Sequence, residues 1–121
     1  MSLYNETDGR AIPPTPVVGC VGLVRDVTRI PSRWWPGDAV AFLRGEGAEL
    51  VRFVWQHADL FSLAHDVGWG GLEKALSEAA AWSQLLPSQV TTCCKDDRGV
   101  VVAYAAGTAL DWSDLVELGT V

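Results

Sequence analysis

The sequence has few cationic residues and no run of them. Nine Lys and Arg residues stand against 15 Asp and Glu residues among 121 positions, which gives a net charge of −6. Binding to nucleic acid depends on clustered cations that release the counterions of the phosphates. The charge pattern therefore argues against a nucleic-acid partner.

Long apolar runs are also absent, and cysteines are few. No stretch approaches the roughly 20 apolar residues that a transmembrane helix needs, and residues 1–10 are too polar for a signal peptide. The three cysteines are an odd number, and Cys93 and Cys94 are adjacent, which is unfavourable for a disulfide framework. Their spacing from His57 and His65 does not match a structural zinc site. These features predict a cytoplasmic protein with reduced thiols, no membrane contact and no metal ligands.

The sequence contains enough apolar residues to form one hydrophobic core. Hydrophobic residues make up 49% of the chain, and a domain of this size buries roughly two-thirds of the surface of its unfolded chain. Residues 1–14 are polar and end in two prolines, which predicts a tail. Residues 15–121 are predicted to form a single folded domain.

Apolar periodicity predicts two helices and about five strands. Apolar residues recur at steps of three and four over residues 47–58, with Trp55 expected in the core, and again from residue 72 until Pro87 ends the second helix. Strands are predicted over residues 15–24, 38–43, 60–67, 90–94 and 100–105. Residues 95–99 are predicted to form a hairpin turn, and residues 111–117 a helical turn capped by Asp111 before residues 118–121 close the sheet. This order predicts a mixed sheet with helices packed on it.

Two segments carry polar groups in an arrangement that suits ligand binding. In residues 65–71 a strand leads through a glycine-rich turn into a helix, where free N–H groups and the helix dipole favour an anion such as phosphate. Most turns of this kind have only a structural role, in which glycine allows a compact backbone, and they bind no ligand. His65 and Asp66 could serve as acid, base or metal ligand, or could cap the helix or bind the backbone. Residues 2–9 are rich in polar groups, and are either a disordered end or part of a motif.

The order of several short motifs resembles one enzyme family. Residues 2–6 read Ser-Leu-Tyr-Asn-Glu, and residues 14–19 read Pro-Thr-Pro-Val-Val-Gly. With residues 37–40, 65–67 and 118–121, they closely resemble the phosphoribosylformylglycinamidine synthases, also called formylglycinamide ribonucleotide amidotransferases. The similarity spans nearly the whole chain, and residues 2–6 are its most specific part.

The resemblance implies a fold and a reaction. The fold is the C-terminal α/β (α+β) domain of the aminoimidazole ribonucleotide synthetase superfamily, a mixed sheet flanked by helices and partly ferredoxin-like. In the parent ligase of purine biosynthesis, ATP phosphorylates the amide oxygen of formylglycinamide ribonucleotide, and ammonia released from glutamine displaces the phosphate with the help of Mg²⁺. The implied partners are the N-terminal synthetase domains and a glutaminase. We expect neither ATP nor Mg²⁺ to bind this chain tightly by itself.

The resemblance also assigns site residues. It places Ser2 at the family's substrate-binding serine. Together with the glycine-rich turn, this gives Ser2, Gly70 and Gly71 as the candidate substrate-binding residues, and Asn5, Glu6, His65 and Asp66 as candidates that support them. The family's catalytic histidines, ATP-binding lysine and metal-binding carboxylates lie in its N-terminal regions, so no catalytic or metal-binding residue is expected here and the isolated chain is predicted to be inactive. The chain departs from the family at Gly68-Trp69, where Ser-Asp is usual, and at residues 92–95, near the place of a missing Phe-Gly-Glu-Ser segment.

Two other interpretations stay open. The chain could be a stand-alone binding or structural module that kept the fold and lost the chemistry, which Gly68-Trp69 favours. It could also be a sister enzyme of the superfamily, such as selenophosphate synthetase or thiamine-monophosphate kinase, although those enzymes carry other residues at the place of residues 2–6. An exposed face left by the missing domain predicts a homodimer.

Overall fold

The computed structural model describes residues 6–11, 18–86, 89–90 and 98–121. Its strands are β1 (Glu6–Thr7), β2 (Arg10–Ala11), β3 (Asp38–Arg44), β4 (Phe61–Val67), β5 (Gln89–Val90), β6 (Gly99–Ala105) and β7 (Leu115–Thr120). Its helices are α1 (Ala48–Gln56) and α2 (Gly71–Ser83), and single 3-10 turns form at Val27–Arg29 and Ala58–Leu60. No helix in these ranges has the length and apolar character needed to cross a bilayer.

Five of the strands form one sheet in the order β4-β6-β3-β7-β5, and β1 and β2 form a separate hairpin. Because β3 and β4 are both antiparallel to β6 between them, they run in the same direction and α1 connects them across the sheet. The predicted α+β class, with helices flanking a sheet, is confirmed. The mixed character predicted for the sheet is not seen, because a mixed sheet contains parallel neighbours and every described pair in this sheet is antiparallel.

The sheet separates two apolar cores. On β3, Val40 and Phe42 pack in the cluster that contains the apolar face of α2, whereas Ala41 and Leu43 pack in the cluster that contains Leu50 of α1. A strand covered on both faces needs apolar residues at successive positions, which explains the unbroken run in β3 and a similar run in β6. The core therefore sits on both sides of β3 and β6.

Trp34 and Trp35 lie in the loop between residues 29 and 37, and their indoles have different environments. Trp34 is buried, and its Nε1 donates a hydrogen bond of 3.1 Å to the carbonyl of Leu85. Its backbone N–H donates to Oγ of Ser83 at 3.1 Å. Trp35 is half exposed and lies under the guanidinium of Arg33. Trp34 thus fastens the loop to the end of α2.

The spacing of apolar residues predicts the buried face correctly for α2 and wrongly for α1. In α2 the predicted stripe is confirmed, because all of its members are buried: Leu72, Ala75, Leu76, Ala79 and Ala80. The helix ends at Ser83, before Pro87, with Gln84 in the left-handed region at φ 53°. In α1 the predicted phase is wrong, since Trp55 is 76% exposed and Leu50 is the buried residue.

Three further predictions are corrected by the strand pairing. Of the strand predicted over residues 15–24, residues 18–24 are exposed and irregular, because no described strand pairs with them; residues 15–17 lie outside the described part. The hairpin predicted around residues 95–99 would pair residues 90–94 with residues 100–105, but Val90 in β5 pairs with β7, and β6 pairs with β3 and β4; residues 91–97 lie outside the described part. The helical turn predicted over residues 111–117 is instead a turn followed by β7, because Trp112 is held by a hydrogen bond to the carbonyl of Arg44 at 2.9 Å.

Candidate functional site

The glycine-rich turn lies between the end of β4 and the start of α2. The backbone N–H of Gly71 donates to the carbonyl of Gly68 at 3.1 Å, which closes the turn. Gly70 and Gly71 have φ values of 104° and 70°, in the left-handed region that favours glycine. No side chain caps α2, so amide groups of its first turn are available to an outside acceptor.

Lys74 covers the turn from the next turn of α2. A Cβ atom added at Gly70 would lie 2.5 Å from Cδ of Lys74, so the aliphatic part of Lys74 packs over this glycine. The ammonium of Lys74 lies 3.7 Å from Oε1 of Glu78. Both the positive φ of Gly70 and the packing of Lys74 over it therefore disfavour a side chain at this position.

His65 is a buried polar residue between β4 and α2. Only 7% of its side chain is exposed, and its ring stacks on Trp82 with centroids 4.5 Å apart and an interplanar angle of 16°. Nδ1 lies 2.7 Å from the carbonyl oxygen of Asp66, and because a carbonyl only accepts, Nδ1 carries a proton in this arrangement. This contact matches the backbone-binding alternative given for His65 above.

The other ring nitrogen of His65 faces Glu78. Nε2 is buried and lies 3.2 Å from Oε2 of Glu78, without the alignment of a hydrogen bond. In a neutral ring protonated at Nδ1, Nε2 is an acceptor and would face a carboxylate that is also an acceptor. The contact between His65 and Glu78 is therefore a close approach of two polar groups without a hydrogen bond.

Together these residues line a small cavity. Its volume is about 100 Å³, and it is bordered by His65, Asp66, Gly68, Trp69, Gly71, Lys74, Ala75 and Glu78. This is room for a water molecule, an inorganic ion or one phosphate group, and too little for a whole nucleotide. Trp69 is 98% exposed at its rim.

The charges around the cavity are mixed. Lys74 contributes one cation, whereas Glu78 and the exposed Asp66 contribute two carboxylates. An anion in this cavity would depend on the backbone N–H groups and the dipole of α2 more than on net charge. Within the described ranges, no group of three or more His, Cys, Asp or Glu residues could hold a metal ion.

The structure brings together part of the site that the sequence predicts. His65, Asp66, Gly70 and Gly71 lie at one turn, as their spacing requires. Ser2 and Asn5 lie outside the described residues, as do Cys93 and Cys94. Glu6 starts the β1–β2 hairpin, which is separate from the main sheet.

Sequence reasoning missed the roles of Lys74, Glu78 and Trp82. A helical stripe places Lys74 and Glu78 on the outer face of α2, yet they line the cavity. The spacing Gly70, Lys74, Glu78 is a signal that could have found them, since residues four apart share one face of a helix. The stacking of Trp82 on His65 joins distant parts of the chain and leaves no local signal.

Comparisons with known proteins give one consistent result. No family model and no solved structure matches the chain. A phosphoribosylformylglycinamidine synthase subunit PurL from Nocardioides sp. is 37% identical over 110 aligned residues, which cover 66% of this chain and 15% of that protein. The PurL subunit from Rhodopseudomonas palustris is 32% identical over 121 aligned residues, which cover 98% of this chain and 14% of that protein.

A third relative matches a shorter segment more strongly. The PurL subunit from Thermomicrobium roseum is 56% identical over 45 residues, or 37% of this chain. The chain spans 15% of the length of the Nocardioides relative and 14% of the Rhodopseudomonas one. On these matches, the chain belongs to the phosphoribosylformylglycinamidine synthase PurL family and corresponds to a small part of such a subunit.

Proposed function

We propose that the chain supplies the C-terminal α+β part of a phosphoribosylformylglycinamidine synthase and forms one wall of its substrate site. The reaction would be the ATP- and glutamine-dependent conversion of formylglycinamide ribonucleotide to formylglycinamidine ribonucleotide in purine biosynthesis. The alignment with PurL subunits along 98% of the chain supports this assignment. The observation that carries the site is the left-handed pair Gly70-Gly71 at an uncapped helix start.

In this proposal the glycine-rich turn holds the phosphate of the ribonucleotide. Backbone N–H groups at the start of α2 would donate to phosphate oxygens, and the missing Cβ atoms of Gly70 and Gly71 would let the phosphate approach the backbone. The volume of the cavity, about 100 Å³, suits one phosphate group. The rest of the substrate would then lie outside this cavity, past the exposed ring of Trp69.

ATP and Mg²⁺ would be held by other parts of the complete synthase. The cavity is too small for a nucleotide, and the described residues contain no cluster of ligands for a metal ion. We therefore propose that the isolated chain does not catalyse the reaction. ATP-dependent formation of formylglycinamidine ribonucleotide by the purified chain would contradict this part of the proposal.

The exposed apolar segment supports the proposal that further protein covers this domain. Val21 and Leu23 are fully exposed in residues 18–24, although their sequence is that of a buried strand. Additional synthetase domains, a glutaminase or a second copy of the chain could cover them. The N-terminal synthetase domains are the proposed partner, because the relatives are much longer than this chain.

Calorimetry with formylglycinamide ribonucleotide tests the substrate-binding part of the proposal. Binding to the wild-type chain should be lost in Gly70→Asp, because the new carboxylate would occupy the place of the phosphate. Gly107→Asp is the matched control: Gly107 also has a positive φ, of 89°, but follows β6 at the opposite end of the sheet. Lys74→Gln, on an exposed side chain, should weaken binding about tenfold without unfolding the chain.

Each outcome of this experiment separates two explanations. Equal losses in Gly70→Asp and Gly107→Asp would mean that backbone strain, and not the site, controls binding. No heat of binding with the folded wild-type chain would remove the turn from the proposed site. Family membership rests on the alignments and would be unaffected.

One observation favours a second function, a non-catalytic binding module. Trp69 and Gly68 stand where the family usually has Asp and Ser, so a carboxylate and a hydroxyl are lost at the rim of the cavity. An exposed indole is typical of a surface that contacts another protein. A chain that binds a PurL partner but not the ribonucleotide would support this function.

A further inference from the structure

A second and larger concave surface lies at the other end of β4. It is an open groove of about 1110 Å³ between the Val27–Arg29 turn with the loop that follows it and the Ala58–Leu60 turn with the start of β4. The seven residues of β4 separate it from the glycine-rich turn by about 20 Å, given the rise of a strand. The groove shares no lining residue with the cavity described above, although Trp82 at its border stacks on His65 of that cavity.

Two tryptophan rings border the groove. Trp35 is 51% exposed and Trp82 is 58% exposed, whereas Phe61 beneath them is buried. One face of Trp82 is covered by His65, so the ring is held in a fixed orientation where it meets the groove. Fixed, half-exposed indoles offer flat apolar surface to a ring that stacks on them.

The groove also carries one cation in excess. Arg29 is paired with Asp59 across the groove, so their charges cancel. Arg33 has its guanidinium 4.4 Å from the centre of the Trp35 ring and forms no ion pair with a carboxylate of the described residues. The nearby carboxylate of Asp38 already accepts from Oγ of Ser62 at 2.5 Å and from the N–H of Trp35 at 2.9 Å.

A guanidinium beside exposed indole rings favours one class of ligand, an anion that carries a flat ring. A guanidinium resting on an indole keeps its N–H groups at the edge of the ring, where they can bind a carboxylate or phosphate in a forked arrangement. A flat ring attached to that acid group could then stack on Trp82. We propose that the groove binds a small aromatic anion, with Arg33 binding the acid group and Trp82 stacking on the ring.

The acid group could be a phosphate or a carboxylate, and the test separates the two. The ¹H–¹⁵N spectrum of the 121-residue chain would be titrated with phenyl phosphate and with benzoate, following the indole N–H signals and the amides of Arg33 and Ser62. Inorganic phosphate lacks the ring, and benzyl alcohol lacks the charge. At least one of the two aromatic anions should bind at least tenfold more tightly than both controls, and the tighter one identifies the acid group.

Two variants and a matched control test the assigned roles. Arg33→Ala should weaken binding of the preferred anion about tenfold and leave benzyl alcohol unaffected. Trp82→Leu should weaken binding of the anion about fivefold, and its fold can be checked from the remaining amide signals. Arg52→Ala removes an exposed arginine of α1 that does not line the groove, and it should leave the affinity for the anion unchanged.

Three results would overturn the proposal. One is a loss of affinity in Arg52→Ala equal to that in Arg33→Ala, which would show a nonspecific charge effect. Another is a set of signal changes confined to residues 68–71, which would place the anion at the glycine-rich turn. The third is equal affinity for phenyl phosphate, benzoate, inorganic phosphate and benzyl alcohol.

Discussion

Replacing Gly99 by alanine should destabilise the fold strongly, because the added methyl group has no room. Gly99 begins β6 in the centre of the sheet, opposite Arg44 on one side and Val67 on the other. A Cβ atom at this position would lie 2.6 Å from Cε2 of Phe42 and closer still to the carbonyl oxygen of Leu43. Ordinary carbon contacts are about 3.5–4.0 Å, so the overlap is roughly 1 Å.

The neighbours of Gly99 cannot move aside easily. Phe42 and Leu43 are fully buried, and their strand is paired on both sides, with β6 and with β7. Overpacking of this kind costs about 1–3 kcal/mol, and the contact with backbone places Gly99→Ala at the upper end. Reduced entropy of the unfolded chain returns at most about 1 kcal/mol. The net loss of about 2 kcal/mol corresponds to a fall in Tm of roughly 6–10 °C for a domain of this size.

Thermal unfolding followed by circular dichroism, with urea unfolding as a second measurement, checks this prediction. Gly22→Ala is the control, because nothing lies within 4 Å of its added Cβ atom and its φ is not in the left-handed region. It should melt no more than about 1 °C below the wild type. If both variants had the same Tm, β3 and β6 could not be paired as described, and the reasoning from Gly99 would fail.

Two further predictions concern Trp34 and Tyr104. Trp34→Phe keeps most of the buried ring but removes the hydrogen bond to the carbonyl of Leu85; leaving that acceptor unsatisfied should cost about 1–2 kcal/mol in urea unfolding, whereas Trp35→Phe should cost less than about 0.5 kcal/mol. Burial raises the pKa of Tyr104 above its ordinary value of 10.0, with a smaller contribution from Glu117. Because the folded state holds this proton more tightly, the stability linked to it is complete below pH 10 and is lost as the pH rises through the raised pKa. Titration of tyrosinate absorbance should show this late ionisation, and Glu117→Gln should lower the pKa of Tyr104; no change in that variant would contradict the assigned charge effect.

The sequence predicts those elements whose burial is local and one-sided. The α2 stripe is clear because five small or aliphatic residues repeat at helical steps and all of them face one sheet. The same reasoning gives the wrong phase for α1, because Phe53 packs on Trp112 from the far end of the chain and rotates the helix relative to the most apolar stripe. Trp55 is consequently outside.

Strand pairing is the part of the fold that periodicity does not predict. Apolar runs mark β3 and β6 as strands and alternation marks β4, but their order in the sheet depends on contacts between residues far apart in the chain. The partner of β5 is β7, not its neighbour in sequence. Similarly, local spacing predicts the turn at Gly70 and Gly71, whereas it does not predict the stacking of Trp82 on His65.

The outer edge of β4, which is an edge strand of the sheet, is covered by a neighbouring segment of the chain. Residues 31–33 run beside that edge. The backbone N–H of Arg33 donates to the carbonyl of Ser62 at 3.0 Å, and the backbone N–H of Ala64 donates to the carbonyl of Pro31 at 3.0 Å. These two bonds occupy the carbonyl of Ser62 and the N–H of Ala64, which face outward from β4. A strand of another copy therefore cannot pair with β4 at these positions, which disfavours association of copies through this edge.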